Sequence, residues 1–291
     1  MNNIVMLDHL DHFNIKQILE SGQVFRFEKI TDNSYLLNAK QKVIKITQQP
    51  GCSSAILHNT NISEVDEIWS PYFDLDTSYA YIAKQLSAKD EFMAKAVQFG
   101  EGIRILKQDP WEMLISFIIS QNKAIPHIKE CIKNISKTFG TPTDETDGNG
   151  EAYYAFPTPS ELVKASEDEL RECKVGFRAP YIMDACRQVV EGHINLNDFY
   201  IMSTEEVKEK LMTIKGVGTK VADCILLFAY GKNGAFPTDV WIKRVMEGVY
   251  FEGKEVKPEE IQQFANEYFG PLAGYAQQYI FYYGRENALY K

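Results

Sequence analysis

Two stretches with apolar residues at helical spacing, STEEVKEKLMT (203–213) and TKVADCILLFAY (219–230), are separated only by IKGVG (214–218). So short a connection makes the chain turn sharply from the first helix into the second. Gly216 and Gly218 permit positive φ and a close approach of backbone. The amides of the turn, around Gly216, Val217 and Gly218, and of the following helix start then point outward, where they can hold an anion such as a phosphate. A plain αα-hairpin has the same sequence requirements and stands beside that reading. A nucleotide-binding loop fits less well, because the order here is Thr-Lys and the first glycine is misplaced.

Lys220 opens a helix face that continues through Cys224 to Leu227 and Phe228, all apolar neighbours. A lysine at a helix start is ordinarily solvated. The alternative is an amine whose desolvated surroundings favour the neutral, nucleophilic form. Further on, Asp239 in FPTDVWIKRV (236–245) stands where a helix N-cap belongs. A carboxylate held there is also a good electrostatic partner for a developing cation.

The rest of the chain divides by period. QVFRFEKI (23–30), SYLLNAK (34–40), KVIKITQQ (42–49) and SAILHNT (54–60) are short β-branched or aromatic runs between turn formers, the pattern of an antiparallel meander. From about residue 62 the spacing becomes helical, in EVDEIWSPYF, TSYAYIAKQL and DEFMAKAVQF, and after QDP (108–110) everything reads as helix. WEMLISFIISQN reads as a buried helix, and PHIKECIKNISKTFG as one that stops at glycine. Ser203 and Glu206 have capping-box spacing. TPTDETDGNGEAYY (141–154) is polar and glycine-containing, and is expected to be a mobile loop. The fold class is therefore α+β: a sheet domain with flanking helices over residues 1–100, then an all-helical body over 101–291.

Composition narrows the function. A net charge of −9 argues against an extended basic sheath for nucleic acid. Residues 215–244 nevertheless carry five basic groups, Lys215, Lys220, Lys232, Lys243 and Arg244, against Asp223 and Asp239. Any nucleic-acid contact is expected to be compact and centred there. The five cysteines are scattered without a C-x-x-C pair, and the histidines form no H-E-x-x-H, so neither zinc nor an iron–sulfur cluster is expected. MNNIVMLDHLDH lacks a secretory pattern and no apolar run reaches membrane-span length, which places the protein in the cytoplasm, on the nucleoid in a bacterium.

LMTIKGVGTKVADC followed by FPTDVWIKRV resembles the helix-hairpin-helix, Gly/Pro-rich loop and aspartate of the DNA glycosylase superfamily. SGQVFRF (21–27), QDPWEMLISFIISQN (108–122), VGFRAPY (175–181) and GYAQQYIF (274–281) resemble the 8-oxoguanine DNA glycosylase/AP lyases in particular. The resemblance implies a small antiparallel sheet domain before a helical glycosylase core, acting as a monomer on duplex DNA that contains 8-oxoguanine. It also implies roles. Lys220 matches the Schiff-base lysine and Asp239 the catalytic aspartate. Gly22 matches the glycine whose carbonyl accepts the N7 hydrogen peculiar to 8-oxoguanine. Phe281 matches the aromatic that stacks on the extruded base, and Gln277 the amide that reads its edge; the two are four apart and share a helix face. Cys224 matches the thiol on the base's other side. Backbone carbonyls of Met212, Ile214 and Val217 match those that hold Na+ or K+, with no other cofactor.

Around the orphaned cytosine, Asn122 and Arg178 match the family, but His127 stands where relatives from higher organisms have a second arginine. Phe177 replaces a tyrosine wedge, and Trp241 a phosphate-contacting histidine. Two other readings remain. A glycosylase for adenine or oxidised pyrimidines usually carries a cluster of cysteines near the C-terminus, and none lies beyond Cys224; relatives for alkylated bases generally lack the lysine. A non-catalytic DNA-binding module has no use for Lys220, Asp239, Gln277 and Phe281.

Overall fold

Side chains alternate along SYLLNAK and KVIKIT so that Tyr35, Leu37, Ala39, Ile44 and Ile46 are buried together, which a pleated sheet with one covered face requires. The computed structural model, which describes residues 3–146 and 150–290, builds five antiparallel strands from this pattern. They are β1 (Ile4–Leu7), β2 (Phe27–Thr31), β3 (Ser34–Ala39), β4 (Lys42–Thr47) and β5 (Ala55–His58), in the order β1-β5-β4-β3-β2. The register pairs Tyr35 with Ile46 and Leu37 with Ile44. Lys40 and Gln41, both at positive φ, make the two-residue turn between β3 and β4. The covered face packs on Ile15, Ile18 and Leu19 of a short helix, Ile15–Glu20, and on Trp69, Tyr72 and Phe73.

Several local expectations are corrected. The run beginning at Gln23 becomes strand only from Phe27, because the backbone of Ser21 and Gln23 bonds to Gln278 and Gln108 and Phe25 packs into the helical core. The N-terminal stretch, read from sequence only for its lack of a secretory pattern, supplies the edge strand β1, paired from Ile4–His58 to Leu7–Ala55. The expected loop at 141–154 contains an antiparallel pair, β6 (Pro142–Thr146) and β7 (Ala152–Tyr154); residues 147–149 of that stretch lie outside the described residues. Its polar composition hid a ladder whose cohesion is backbone hydrogen bonding.

The helical body is built around Pro110–Ser120, in which every residue from Pro110 to Ile119 is buried. The helices Ile125–Phe139, Ala179–Val190 and Thr219–Phe228 pack against it, with Phe117 stacked on Phe228 at 5.7 Å. Tyr79–Ser87 and Glu91–Phe99 give Ile82, Leu86, Met93 and Val97 to this same core, and Glu91–Phe99 packs on Ala273–Glu286. Ile125–Phe139 ends at Gly140 because the chain returns there: a Cβ would lie 2.0 Å from the Ala155 carbonyl oxygen. Among the described residues no helix is long and apolar enough to cross a membrane.

Sheet and body are joined by buried amides. Gln23, fully buried, donates to the carbonyls of Ile18 and Arg104 and accepts the Leu106 N–H at 2.8 Å. Gln108 donates to the Gln23 carbonyl at 2.7 Å, and Gln278 to the Ser21 carbonyl at 3.1 Å. Gln23→Leu keeps the volume but strands the Leu106 N–H and the Arg104 carbonyl, at about 1–3 kcal/mol for each buried group left unpaired. A fall in Tm of roughly 4–12 °C is expected by circular dichroism. An unchanged Tm would mean that apolar contacts alone hold this loop.

Candidate active site

Gly216 adopts φ +79, and a Cβ there would meet the Tyr181 ring at 2.4 Å, so both backbone and packing demand glycine. Gly218 does not use the positive φ that glycine permits. It is the extended N-cap of Thr219–Phe228, and a Cβ there would meet nothing within 4 Å. The first-turn amides of that helix have no intrahelical partners and open onto this space. Val217, between the glycines, is buried and donates its N–H to the Ile214 carbonyl at 3.0 Å. The carbonyls of Met212, Ile214 and Val217 belong to this one turn. Neutral carbonyls suit a weakly held monovalent cation better than a divalent one, which favours carboxylates.

Capping by Ser203 and Glu206 is formed and starts the first helix of the hairpin, Thr204–Leu211. In the second helix every residue from Val221 to Phe228 is buried, while Lys220 is partly buried, its side-chain nitrogen 5.2 Å from the centre of the Phe117 ring. One turn on, Cys224 is buried, and burial pushes its thiol up to about 11 although the adjacent Lys220 amine pulls the other way. The sulfur is therefore a neutral wall beside the amine.

Asp239 caps Val240–Tyr250, accepting the Ile242 N–H at 2.8 Å. Burial raises its carboxyl above the usual range, against the pull of the Ile242 and Trp241 amides, Lys220 and Arg285. The tertiary fold thus brings the lysine and the aspartate into one electrostatic neighbourhood. Gln277 joins them. It is 5% exposed and donates to the Pro237 carbonyl at 3.1 Å, two residues before Asp239, while its buried Oε1 has no partner among the described residues. A buried acceptor left unpaired costs about 1–3 kcal/mol, a cost that a ligand's N–H removes.

Phe281, one turn after Gln277, lies against the backbone of Gly22. Gly22 has φ +84, and a Cβ there would stand 2.9 Å from the Phe281 ring. Arg285, which the sequence reading missed, joins this contact: a Gly22 Cβ would lie 3.1 Å from its guanidinium. Its guanidinium is 5.3 Å from the centre of the Phe281 ring and donates to the Glu20 carbonyl at 2.5 Å. Its position four residues after Phe281 was the available signal.

Asn122, His127, Phe177 and Arg178 form a second group. Asn122 is exposed at φ 48 between two helices, and His127 is exposed in the first turn of Ile125–Phe139. Phe177 is 57% exposed, its ring edge-on to Tyr181, the residue packed over Gly216. Arg178 does not reach outward. It is 4% exposed, donates to the carbonyls of Gln121, Asn122 and Val175, and lies 4.2 Å from the Phe177 ring centre. The basic excess expected near the hairpin is also largely tied up. Lys243 pairs with Glu247 and Glu255, Lys215 lies 4.0 Å from Asp184, and Lys232 donates to the Met202 carbonyl.

The family model for the N-terminal domain of 8-oxoguanine DNA glycosylase matches residues 6–114, and that for the HhH-GPD superfamily of base excision DNA repair proteins matches residues 115–271. The N-glycosylase/DNA lyase of Saccharomyces cerevisiae is 35% identical, over 81% of this chain and 68% of that one. The solved structure of MBOgg1 in complex with a low affinity DNA ligand is similar with TM-score 0.94 and 45% identity, over 99% of this chain and 97% of that one. The Clostridium acetobutylicum 8-oxoguanine glycosylase/lyase, in complex with double-stranded DNA containing cytosine opposite 8-oxoG, is similar with TM-score 0.93 and 41% identity, over 99% of each chain.

The buried carboxyl has a measurable signature. A raised folded-state pKa means that the folded protein binds this proton more tightly than the unfolded chain. Ionisation therefore costs stability as pH rises from the ordinary value of 3.8 through the folded one. Asp239→Asn keeps a capping oxygen without the charge. Near pH 7 its Tm is expected to equal or exceed that of the natural protein, an advantage that shrinks as pH falls toward about 4. Asp239→Ala, without the cap, should lose about 1 kcal/mol. Thermal melts across this range check both, and a lower Tm for Asp239→Asn near neutrality would show the carboxylate to be net stabilising.

Proposed function

The chain belongs to the 8-oxoguanine DNA glycosylase/lyase family of helix-hairpin-helix base-excision proteins, and we propose that it removes 8-oxoguanine from duplex DNA and then nicks the strand at the vacated sugar. The observation that carries the substrate is the unpartnered Oε1 of Gln277 beside Phe281 and Gly22, which calls for a planar ligand with an N–H to give. Extruding that base costs a few kcal/mol of stacking. Phe177, protruding and backed by Tyr181, fills the gap. The base stacks on Phe281, offers its edge to Gln277 and its N7 hydrogen to the Gly22 carbonyl, and has Cys224 on its other side.

Lys220, as the free amine, forms a bond to the sugar C1′ while the bond from C1′ to the base breaks. Positive charge develops on the sugar, and Asp239 stabilises it. The bonded nitrogen then gives up its proton as the C1′–O4′ bond opens and O4′ takes up a proton, which leaves an imine; the imine acidifies the adjacent C2′ proton, whose removal expels the 3′ phosphate and opens the strand. The hairpin amides around Gly216, Val217 and Gly218 hold a DNA phosphate, with Na+ or K+ on the carbonyls of Met212, Ile214 and Val217 supporting the turn. The protein works as a monomer on cytoplasmic DNA.

Lys220→Gln is expected to abolish base release and borohydride trapping on damaged duplex while binding persists, because one amine serves as nucleophile and imine former. Full excision by that variant would overturn the assignment.

Opposite the lesion, discrimination for cytosine is expected to be narrowed. His127 has at most two ring donors where a guanidinium presents a fork of several, and Arg178 must first leave its carbonyls to help Asn122. His127→Arg should sharpen the preference by about ten- to a hundredfold, the worth of one good charged base contact. Single-turnover excision of 8-oxoguanine paired with C, T, G and A measures it; unchanged ratios would place selectivity elsewhere.

A further inference from the structure

A cavity of about 310 Å³ lies between the sheet, the Ile125–Phe139 helix and the β6–β7 pair, and none of Lys220, Asp239, Gln277 or Phe281 lines it. That volume holds one ring with its substituents. Phe25, Phe27, Tyr153 and Tyr154 give it aromatic walls. Among the described residues, two oxygens on this lining lack a hydrogen-bond partner, and a third group, a cation, lacks a counter-charge. Ser136 is 4% exposed and its hydroxyl has no partner among the described residues. Asn38 commits its amide N–H to the Tyr154 carbonyl at 3.0 Å, which leaves a buried Oδ1 without a donor among the described residues.

The third is Lys129. The other cations along the lining each have a carboxylate: Arg26 pairs with Glu112 at 3.2 Å, Lys133 with Glu28 at 3.5 Å and Lys137 with Glu151 at 3.3 Å. Among the described residues no carboxylate lies within ion-pair distance of Lys129. Its amine sits 3.2 Å from the centre of the Phe27 ring and donates to the Phe27 carbonyl at 3.3 Å. Burial holds that amine down at about 8, against the more distant pull of Glu20 and Glu28. A partly buried cation without a counter-charge, an acceptor without a donor and a hydroxyl without a partner each cost stability as they stand.

We propose that this cavity is a second ligand site, and that it takes a small single-ring aromatic carboxylate bearing a hydrogen-bond donor on the ring. The ring packs between the aromatic walls, the carboxylate meets the Lys129 ammonium, and the ring donor reaches the polar oxygens of Asn38 or Ser136. A phosphate monoester fits less well. It brings close to two negative charges to one amine, with Glu28 and Glu151 also on the lining.

The probes are 4-hydroxybenzoate and its uncharged methyl ester, titrated into the full chain by calorimetry. The acid is expected to bind and the ester to bind about ten- to a hundredfold more weakly, the worth of a charge-assisted hydrogen bond. Lys129→Met should weaken the acid by a similar factor, while Lys129→Arg, which keeps the charge, retains most of the binding. Both variants should release base from damaged duplex at the natural rate, which also shows that they are folded. Equal binding of acid and ester, binding indifferent to Lys129→Met, or no binding of the acid at millimolar concentration would each overturn the proposal. Displacement of the acid by duplex DNA would also overturn it, by making the cavity part of the DNA interface.

Discussion

The buried side chain of Gln23 is the contact on which the geometry around Gly22, Gln277 and Phe281 depends. Its amide reaches the carbonyls of Ile18 and Arg104 and the N–H of Leu106, and Gln108 and Gln278 tie down the backbone on either side of it. A sheet domain and a helical body could touch through apolar surface alone, but such contact is non-directional. Hydrogen bonds to backbone atoms set register to a fraction of an ångström. Here that register places Gly22 against Phe281, with Arg285 bridging from the ring to the Glu20 carbonyl. The pocket is thus made by two parts of the chain that neither part forms alone.

Stability has been given up at the same place. Gln277 keeps an oxygen without a partner among the described residues, Asp239 carries a carboxyl in surroundings that disfavour its charge, and Gly22 is held at positive φ. Each is costly in the free protein and useful only when something occupies the site. Cys224 and Phe117 keep the neighbourhood of Lys220 apolar, and its exposed side remains open to an incoming group.

The hairpin and the protruding ring are one mechanical unit. Tyr181 packs over Gly216 with one face and meets Phe177 edge-on. Arg178 extends the unit by holding the Asn122 turn through its carbonyls and stacking on Phe177. A side chain read as a hand for the opposite base is, in the free protein, a brace. Leaving those carbonyls, which it bonds in a buried setting, gives the residue two states that differ in what it holds.

Much of this was legible in one dimension. The period change near residue 62, the IKGVG turn, the capping box at Ser203 and the N-cap at Asp239 are local, set by backbone sterics and by side chains reaching three residues along the chain. They determined the α+β class and placed Lys220 at a helix start. What they left open was decided by partners distant in sequence. Strand β1 forms because β5 offers it an edge, and β6 and β7 because they offer edges to each other. Gly218 is extended because Gly216 alone makes the turn beneath Tyr181. Arg178 folds inward, and most of the hairpin's lysines find acceptors, because carbonyls and carboxylates from other elements lie within reach. Propensity and spacing act over a few residues, whereas burial, register and charge pairing depend on what the folded chain brings alongside.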